Sequence, residues 1–189
     1  MAMDVGRIEQ SVRELLIAIG EDPDREGLLE TPKRVAQMYV EIAGGTQEEA
    51  VEVLGTQFEE DHQEMVIVRD VPFYSICEHH LLPFFGTAHV GYLPKGKVVG
   101  ISKIARAIDI LARRPQVQER LTSQVAEAFM EAVDPEGVGV VMRAEHLCMA
   151  MRGIKKPGTS VVTSATRGQF RAGAATRTEF LSLLQDGVR

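Results

Sequence analysis

Along the start of the chain, apolar residues recur every three or four positions. Val5, Ile8, Val12, Leu15, Leu16 and Ile19 form one helical stripe, and Gly20 stands where a helix stop belongs. After a charged loop containing Pro23 and Gly27, Thr31-Pro32 reads as an N-cap followed by proline at the first helical position. That helix carries Val35, Met38, Tyr39 and Ile42 and stops at Gly44-Gly45. Thr46-Gln47-Glu48-Glu49 has the spacing of a capping box and predicts a short helix running to Gly55.

The period then changes. Met65 to Val71 is rich in β-branched residues and is expected to end at Pro72. Phe84 to Leu93 and Val98 to Ile101 are two further strand candidates, separated by the turn signal Pro94-Lys95-Gly96. Two helices follow: one from near Ser102 with Ile104, Ile108 and Leu111, the other after Pro115 with Val117, Leu121, Val125 and Phe129. Gly137 to Met149 alternates as a strand, with Val138, Val140, Met142 and Ala144 on one face. Thr159 to Thr166 is another strand, and Thr176 to Leu184 a closing helix. Helices, strands, two helices and strands again make an α+β pattern, not a βαβ alternation.

At 189 residues the chain suits one compact domain with an appended helical segment, residues 1–60 helical and 61–189 carrying the core. No apolar run approaches the roughly 20 residues that span a bilayer, so no membrane association is expected. The N-terminus lacks the basic and apolar regions of a secretory leader, and two cysteines make no disulfide framework. A cytoplasmic location is the expectation. A net charge of −6 argues against nonspecific nucleic-acid binding. Positive charge is nevertheless bunched: Lys95, Lys97, Lys103, Arg106, Arg113 and Arg114 face only Asp109. Such a patch suits a small anionic ligand or is simply a solvated face, and the latter is expected of Arg113 and Arg114. Gly91 to Lys97 fits the first seven positions of a phosphate-binding loop, but Val98 replaces the needed Ser or Thr and no helix follows at once; a hairpin turn is expected instead.

The chemistry concentrates in two short clusters, Cys77-Glu78-His79-His80 and His146-Leu147-Cys148, which hold both cysteines and three of the five histidines. Cys77-x-x-His80 is a chelating spacing for zinc. If the second cluster lies on a strand, His146 and Cys148 share a face. Cys77, His80 and Cys148 make a three-ligand set with one open position, the usual form of a catalytic zinc site, leaving His79 and His146 as proton carriers nearby. Two buried cysteines serving as core residues, or a redox pair, remain alternatives on spacing alone. His62, in an acidic loop, and His89, on a strand face, receive no role.

Around these residues the chain resembles GTP cyclohydrolase I. The resemblance is carried by Cys77-Glu78-His79-His80, Gly100 to Arg106, Arg114 to Thr122 and His146 to Gly153, with Glu30 to Val35 and Thr176 to Leu181 toward the ends. It runs in order from about Ile8 to Leu184. It implies hydrolysis and rearrangement of GTP to 7,8-dihydroneopterin triphosphate and formate, by attack of zinc-activated water at guanine C8, as the first step of folate and pterin synthesis. It assigns one zinc ion per subunit to Cys77, His80 and Cys148, and proton transfer to His79 and His146. Glu119 would hold guanine N1 and the 2-amino group, with Gln118 beside it at the base. Ser102, Lys103, Arg106 and Arg152 would bind the sugar and triphosphate, with Arg34 supplied by a neighbouring subunit. Some relatives carry Lys at an auxiliary phosphate position where this chain has Gln37. The resemblance also implies a T-fold, a four-stranded antiparallel sheet backed by two antiparallel helices. It further implies a homodecamer of two pentameric rings with sites between subunits. Two other functions compete. A noncatalytic zinc-stabilised assembly would not need His79, His146 and Glu119. A T-fold nitrile reductase using a cysteine nucleophile would not need the Cys77/His80/Cys148 set.

Overall fold

The computed structural model describes residues 3–47 and 49–185. Its frame is a sheet of five strands in the order β5-β2-β3-β6-β7: β2 (Val66–Cys77), β3 (Pro83–Leu93), β5 (Pro115–Gln116), β6 (Gly137–His146) and β7 (Ser160–Gly168). Four strands are antiparallel neighbours, and the two-residue β5 adds to β2 in parallel. Helices α4 (Ile101–Ala112) and α5 (Gln118–Val133), consecutive and linked through β5, bury Ile104, Ile108, Leu111, Leu121, Val125 and Phe129 against Phe73, Val90, Val140 and Met142. This is the T-fold core expected. Each fully buried aliphatic or aromatic side chain there contributes about 1.5–3 kcal/mol by leaving water.

The N-terminal part comprises α1 (Val5–Ala18), α2 (Thr31–Ile42), a 3₁₀ turn (Gly44–Gln47), α3 (Ala50–Leu54) and β1 (Gln57–Glu59), which pairs with β4 (Lys97–Val99). Gly20 ends the first helix with φ +89°, as its position suggested. No residue of α1 is buried; it packs on α2 and leaves Leu15 and Ile19 exposed. By contrast, Ala50 and Leu54 of α3 lie in the core, and β1 pairs with β4, so the part before residue 60 is not wholly an appended helical segment. Among the described residues no helix is long and apolar enough to cross a membrane.

Several boundaries differ from the sequence pattern. β2 continues through Pro72 to Cys77, because β5 reaches only Ile76 and Cys77 and leaves that edge of β2 open at the proline. A one-residue bulge between Val68 and Val71 puts Asp70 at φ +57°, and its backbone N–H is bonded to His89 Nδ1 at 3.1 Å. The third strand candidate stops at Val99, and Ile101 opens α4. β4 pairs with β1, not with β3, so Pro94 to Gly96 is a turn between strands of different sheets. α2 starts at Thr31 with Glu30 as the flanking residue and no side-chain cap. Of the expected capping box, Glu48 lies outside the described residues, and α3 begins at Ala50. Arg113 and Arg114 are half-buried, not solvated: Arg113 Nε donates to Glu41 O at 2.7 Å, and Arg114 Nη2 donates to Gly45 O and Ile110 O.

The strand expected over Gly137 to Met149 ends at His146. The chain turns there into α6 (Leu147–Ala150), and after β7 come α7 (Gln169–Ala172) and α8 (Ala174–Gln185). α7 and α8 place Phe170 and Phe180 on the face of the sheet opposite α4 and α5, over Gly91 and Gly139.

Candidate metal centre and active site

β2 ends at Cys77, and a tight turn follows. Leu81 N donates to Cys77 O at 2.8 Å, and Cys77 N donates to Leu82 O at 2.9 Å. Leu81 sits at φ +53°, uncommon for a bulky side chain and a mark of a loop held by its surroundings. From this turn His79 and His80 project outward with exposed rings, whereas Cys77 is buried. Each histidine places Nδ1 3.8 Å from Cys77 Sγ.

Cys148 arrives by a different route from the one its spacing suggested. It lies in the first turn of α6, not on the strand, so it shares no strand face with His146. The ligand atoms of Cys77, His80 and Cys148 nevertheless all lie within 4.8 Å of one another. Tetrahedral zinc with bonds of about 2.0–2.3 Å holds its donors at comparable spacing. Two thiolate donors and an imidazole therefore fit that ion in both chemistry and placement. Burial and the neighbouring Cys77 push the Cys148 thiol up, so a metal entering there displaces protons.

His146, the last residue of β6, stacks on Phe84 with ring centroids 4.6 Å apart and planes 2° from parallel. Burial pushes its pKa down, opposed in part by the Glu119 carboxylate. Its Nε2 lies 2.8 Å from Gln118 Oε1. Gln118, expected at the guanine, is only 1% exposed and spends its side-chain amide inside the protein. Glu119, one residue on, is exposed in the first turn of α5. Arg152 follows α6 and brings Nη1 to 2.8 Å from His80 Nε2.

One pairing had no role in the sequence pattern. Arg120 Nη1 and Nη2 donate to both carboxylate oxygens of Glu78, at 2.5 and 3.0 Å. That bond is the main cause holding the Glu78 carboxyl below its ordinary range. Together with the bond from Glu78 N to Gln116 O, it ties the Cys77–His80 turn to the start of α5. The sequence signal was present, since Glu78 lies inside the ligand cluster and Arg120 beside Glu119, but their contact spans 42 positions.

The remaining site candidates are not brought to this cluster within one chain. The pairing of Ile76 with Pro115 and Cys77 with Gln116 puts the end of α4 beside the metal turn. The start of α4 lies at the opposite end of the sheet, where Val99 N donates to Tyr92 Oη. Ser102, Lys103 and Arg106 are therefore about 9–15 Å along the helix from its Cys77 end. Arg34 is exposed on α2. Among the described residues the side chains of Arg34, Lys103 and Arg106 have no hydrogen bond or ion pair.

Comparison with known proteins bears on these features. A family model described as GTP cyclohydrolase I matches residues 8–185. A GTP cyclohydrolase 1 of Dehalococcoides mccartyi is 59% identical over 184 residues, covering 96% of this chain and 97% of the relative. Proteins of the same name from Brevibacillus brevis and Thermoanaerobacter pseudethanolicus are 56% and 60% identical, covering 98% and 96% of this chain and 100% and 97% of their own lengths. Among solved structures, an archaeosine synthase QueF-like protein in the apo form aligns with 55% of this chain and 93% of its own, at 23% identity and a TM-score of 0.45. That likeness is too distant to inform the chemistry.

Proposed function

Because the chain belongs to the GTP cyclohydrolase I family, and so converts GTP to 7,8-dihydroneopterin triphosphate in the first step of folate biosynthesis, we propose that the reaction is carried by the cluster around Cys77, His80 and Cys148 with one zinc ion per chain. The observation that carries this assignment is the convergence of the chain's only two cysteines and His80 to within 4.8 Å. When bound there, zinc supplies a Lewis acid that makes water nucleophilic near neutral pH.

The chain's own residues divide the remaining work. His79, exposed beside the metal turn, exchanges protons on the open side of the cluster, and His146 does so from the half-buried side. These transfers serve the opening of the imidazole ring at C8, the release of formate and the later reclosure. Glu119 accepts from guanine N1 and the 2-amino group, a two-point contact suited to a carboxylate. Gln118 stands beside it at the base, its side-chain amide buried and hydrogen-bonded within the chain.

The triphosphate needs cations, and Arg152 is the one supplied beside the cluster by the same chain. Ser102, Lys103, Arg106 and Arg34 serve a neighbouring chain's site. Their support is the distance along α4 and the absence of internal partners for the three cations. The assembly is then a homo-oligomer, a decamer of two pentameric rings with sites between subunits, working in the cytoplasm. Residues 1–60 form the helical arm and 61–189 the catalytic T-fold domain, with α3 and β1 packed onto it.

The direct test is metal content with a product assay. Purified protein should hold about one zinc per chain, as three-ligand catalytic sites do. It should release formate and a fluorescent pterin from GTP, and a chelator should stop it. Full activity in metal-free protein would overturn the assignment.

A further inference from the structure

The side chain of Gln118 is buried at the junction of α5, β6 and β7, and every polar atom on it has a partner. Its Nε2 lies 3.2 Å from Met142 O, 3.0 Å from Val161 O and 3.1 Å from Thr163 Oγ1. The first two are backbone carbonyls and can only accept. The third is committed by a chain of hydroxyls. Thr122 Oγ1 donates to Gln118 O at 2.7 Å, so its proton is spent. Thr122 and Thr163 hydroxyls are 2.6 Å apart, so Thr163 must donate to Thr122. Thr163 Oγ1 then has only lone pairs left for Gln118. All three neighbours of Nε2 are acceptors, which settles which end of the amide is nitrogen.

The oxygen end must therefore face His146, 2.8 Å from Nε2. A carboxamide oxygen cannot donate, so His146 Nε2 must carry a proton. Phe84, stacked 4.6 Å away and nearly parallel, holds the ring against rotation. A neutral His146 so held has Nδ1 as its bare nitrogen.

We propose that Gln118 is a positioning residue that holds the His146 ring and fixes it as the Nε2–H tautomer, with Nδ1 as its bare nitrogen. This rests on His146 acting as a proton carrier in the reaction proposed above. It also takes Gln118 out of direct contact with guanine and gives the Thr122–Thr163 pair a purpose. The hydroxyls set the amide, and the amide sets the imidazole.

The experiment uses full-length protein labelled with ¹⁵N-histidine at about pH 8, above the ordinary histidine range. The His146 signals are assigned by their loss in His146→Asn. The expected result is a protonated Nε2 and an unprotonated Nδ1. Gln118→Met, similar in size but unable to accept this bond, should let His146 exchange between tautomers. It should also lower kcat for GTP about 10- to 100-fold, the usual cost of losing an orienting partner, with KM changed by less than about threefold. Thr163→Val should shift the tautomer and kcat in the same direction by less, and it supplies the test should Gln118→Met fail to fold. A wild-type His146 protonated at Nδ1 would overturn the proposal. So would an unchanged tautomer in both variants, or a raised KM with intact kcat in Gln118→Met, which would mark a substrate contact. If the tautomer behaves as expected but even the unmodified protein releases no formate, the positioning stands and the assigned reaction falls.

Discussion

Gly91 and Gly139 stand directly opposite each other in the β3–β6 ladder, and their missing side chains leave the space that Phe170 and Phe180 fill. The two rings meet edge to face, with centroids 5.3 Å apart, and both are buried. A Cβ on Gly139 would come within 2.5 Å of Phe170 Cδ1 and 2.9 Å of Phe180 Cε1; one on Gly91 would come within 2.7 Å of Phe180. The pair thus seats the two C-terminal helices against the open face of the sheet.

Gly139→Ala should therefore act as overpacking, costing about 1–3 kcal/mol. In a chain of this length that lowers the thermal midpoint by about 2–4 °C for each kcal/mol. Combining it with Phe170→Leu should cost less than the sum of the two changes, because the smaller side chain leaves room for the new methyl. Strict additivity in a thermal unfolding series would show that the phenylalanines do not rest on the glycines.

The adjacent histidines should separate by function. His80 joins the two cysteines in the three-ligand cluster, and His79 does not. His79→Ala should abolish turnover while retaining about one zinc per chain. Cys148→Ala should lose both metal and activity. Elemental analysis beside a formate assay reads both. Loss of the metal in His79→Ala would mean that the two histidines have been assigned the wrong way round.

The Glu78–Arg120 fork predicts a metal effect without a ligand change. Arg120→Ala releases the metal turn from the start of α5 while leaving Cys77, His80 and Cys148 in place. Zinc affinity, read by competition with a chromophoric chelator, should fall about 10- to 100-fold, the range for losing an outer supporting partner. Arg120→Lys, which keeps the charge but not the fork, should recover only part of it. Unchanged affinity in Arg120→Ala would reduce the pair to surface decoration.

Much of this architecture was legible because burial follows period. Val138, Val140, Met142 and Ala144 alternate toward the core as their spacing required, and Ile104, Ile108 and Leu111 are buried on one stripe of α4. The residue types of the Cys77, His80 and Cys148 cluster were legible. The route to it was not, because α6 begins immediately after His146 and local alternation cannot register a strand that turns into a helix within two residues. Pro72 reads as a strand end, and only the open edge of β2 explains why the strand passes through it. Gln118 reads as a polar residue available to substrate. Its burial depends on acceptors up to 45 positions away, which no local pattern can show. The placement of Lys103 and Arg106 away from the cluster is likewise a property of topology, not of spacing.

Acid should weaken the fold through His89. Burial is the main cause lowering its pKa; Asp70 opposes this, and Arg143 and Arg69 add to the lowering. Its Nδ1 is bonded to the Asp70 N–H at the bulge, which requires that nitrogen to be bare. Well above a pH of about 6.5 the folded and unfolded forms are both neutral and the contribution is intact. As pH falls, the unfolded chain takes up a proton first, and stability declines until the lower folded pKa is passed. His89→Leu should cost about 1 kcal/mol near neutral pH for the lost bond, and the difference should shrink toward acid pH. Unfolding midpoints must be compared at fixed chain concentration, because assembly contributes to them. A difference that stayed constant from neutral to acid pH would remove His89 from the acid response.

The split placement of the site residues predicts complementation. His79→Ala removes a group from the metal end of a chain, and Lys103→Ala removes one from the start of α4. Each variant alone should be inactive, since every site in a uniform assembly lacks one group. In mixed assemblies some sites join the intact metal end of one chain to the intact α4 of its neighbour. Random mixing of equal amounts makes about a quarter of the sites whole, so activity should return to about that fraction of the unmodified enzyme. If Lys103 served the cluster of its own chain, every site would still lack one group, and the mixture would be as inactive as its parts. Formate release after co-refolding the two variants distinguishes the cases, with separately refolded variants combined afterwards as the control for subunit exchange.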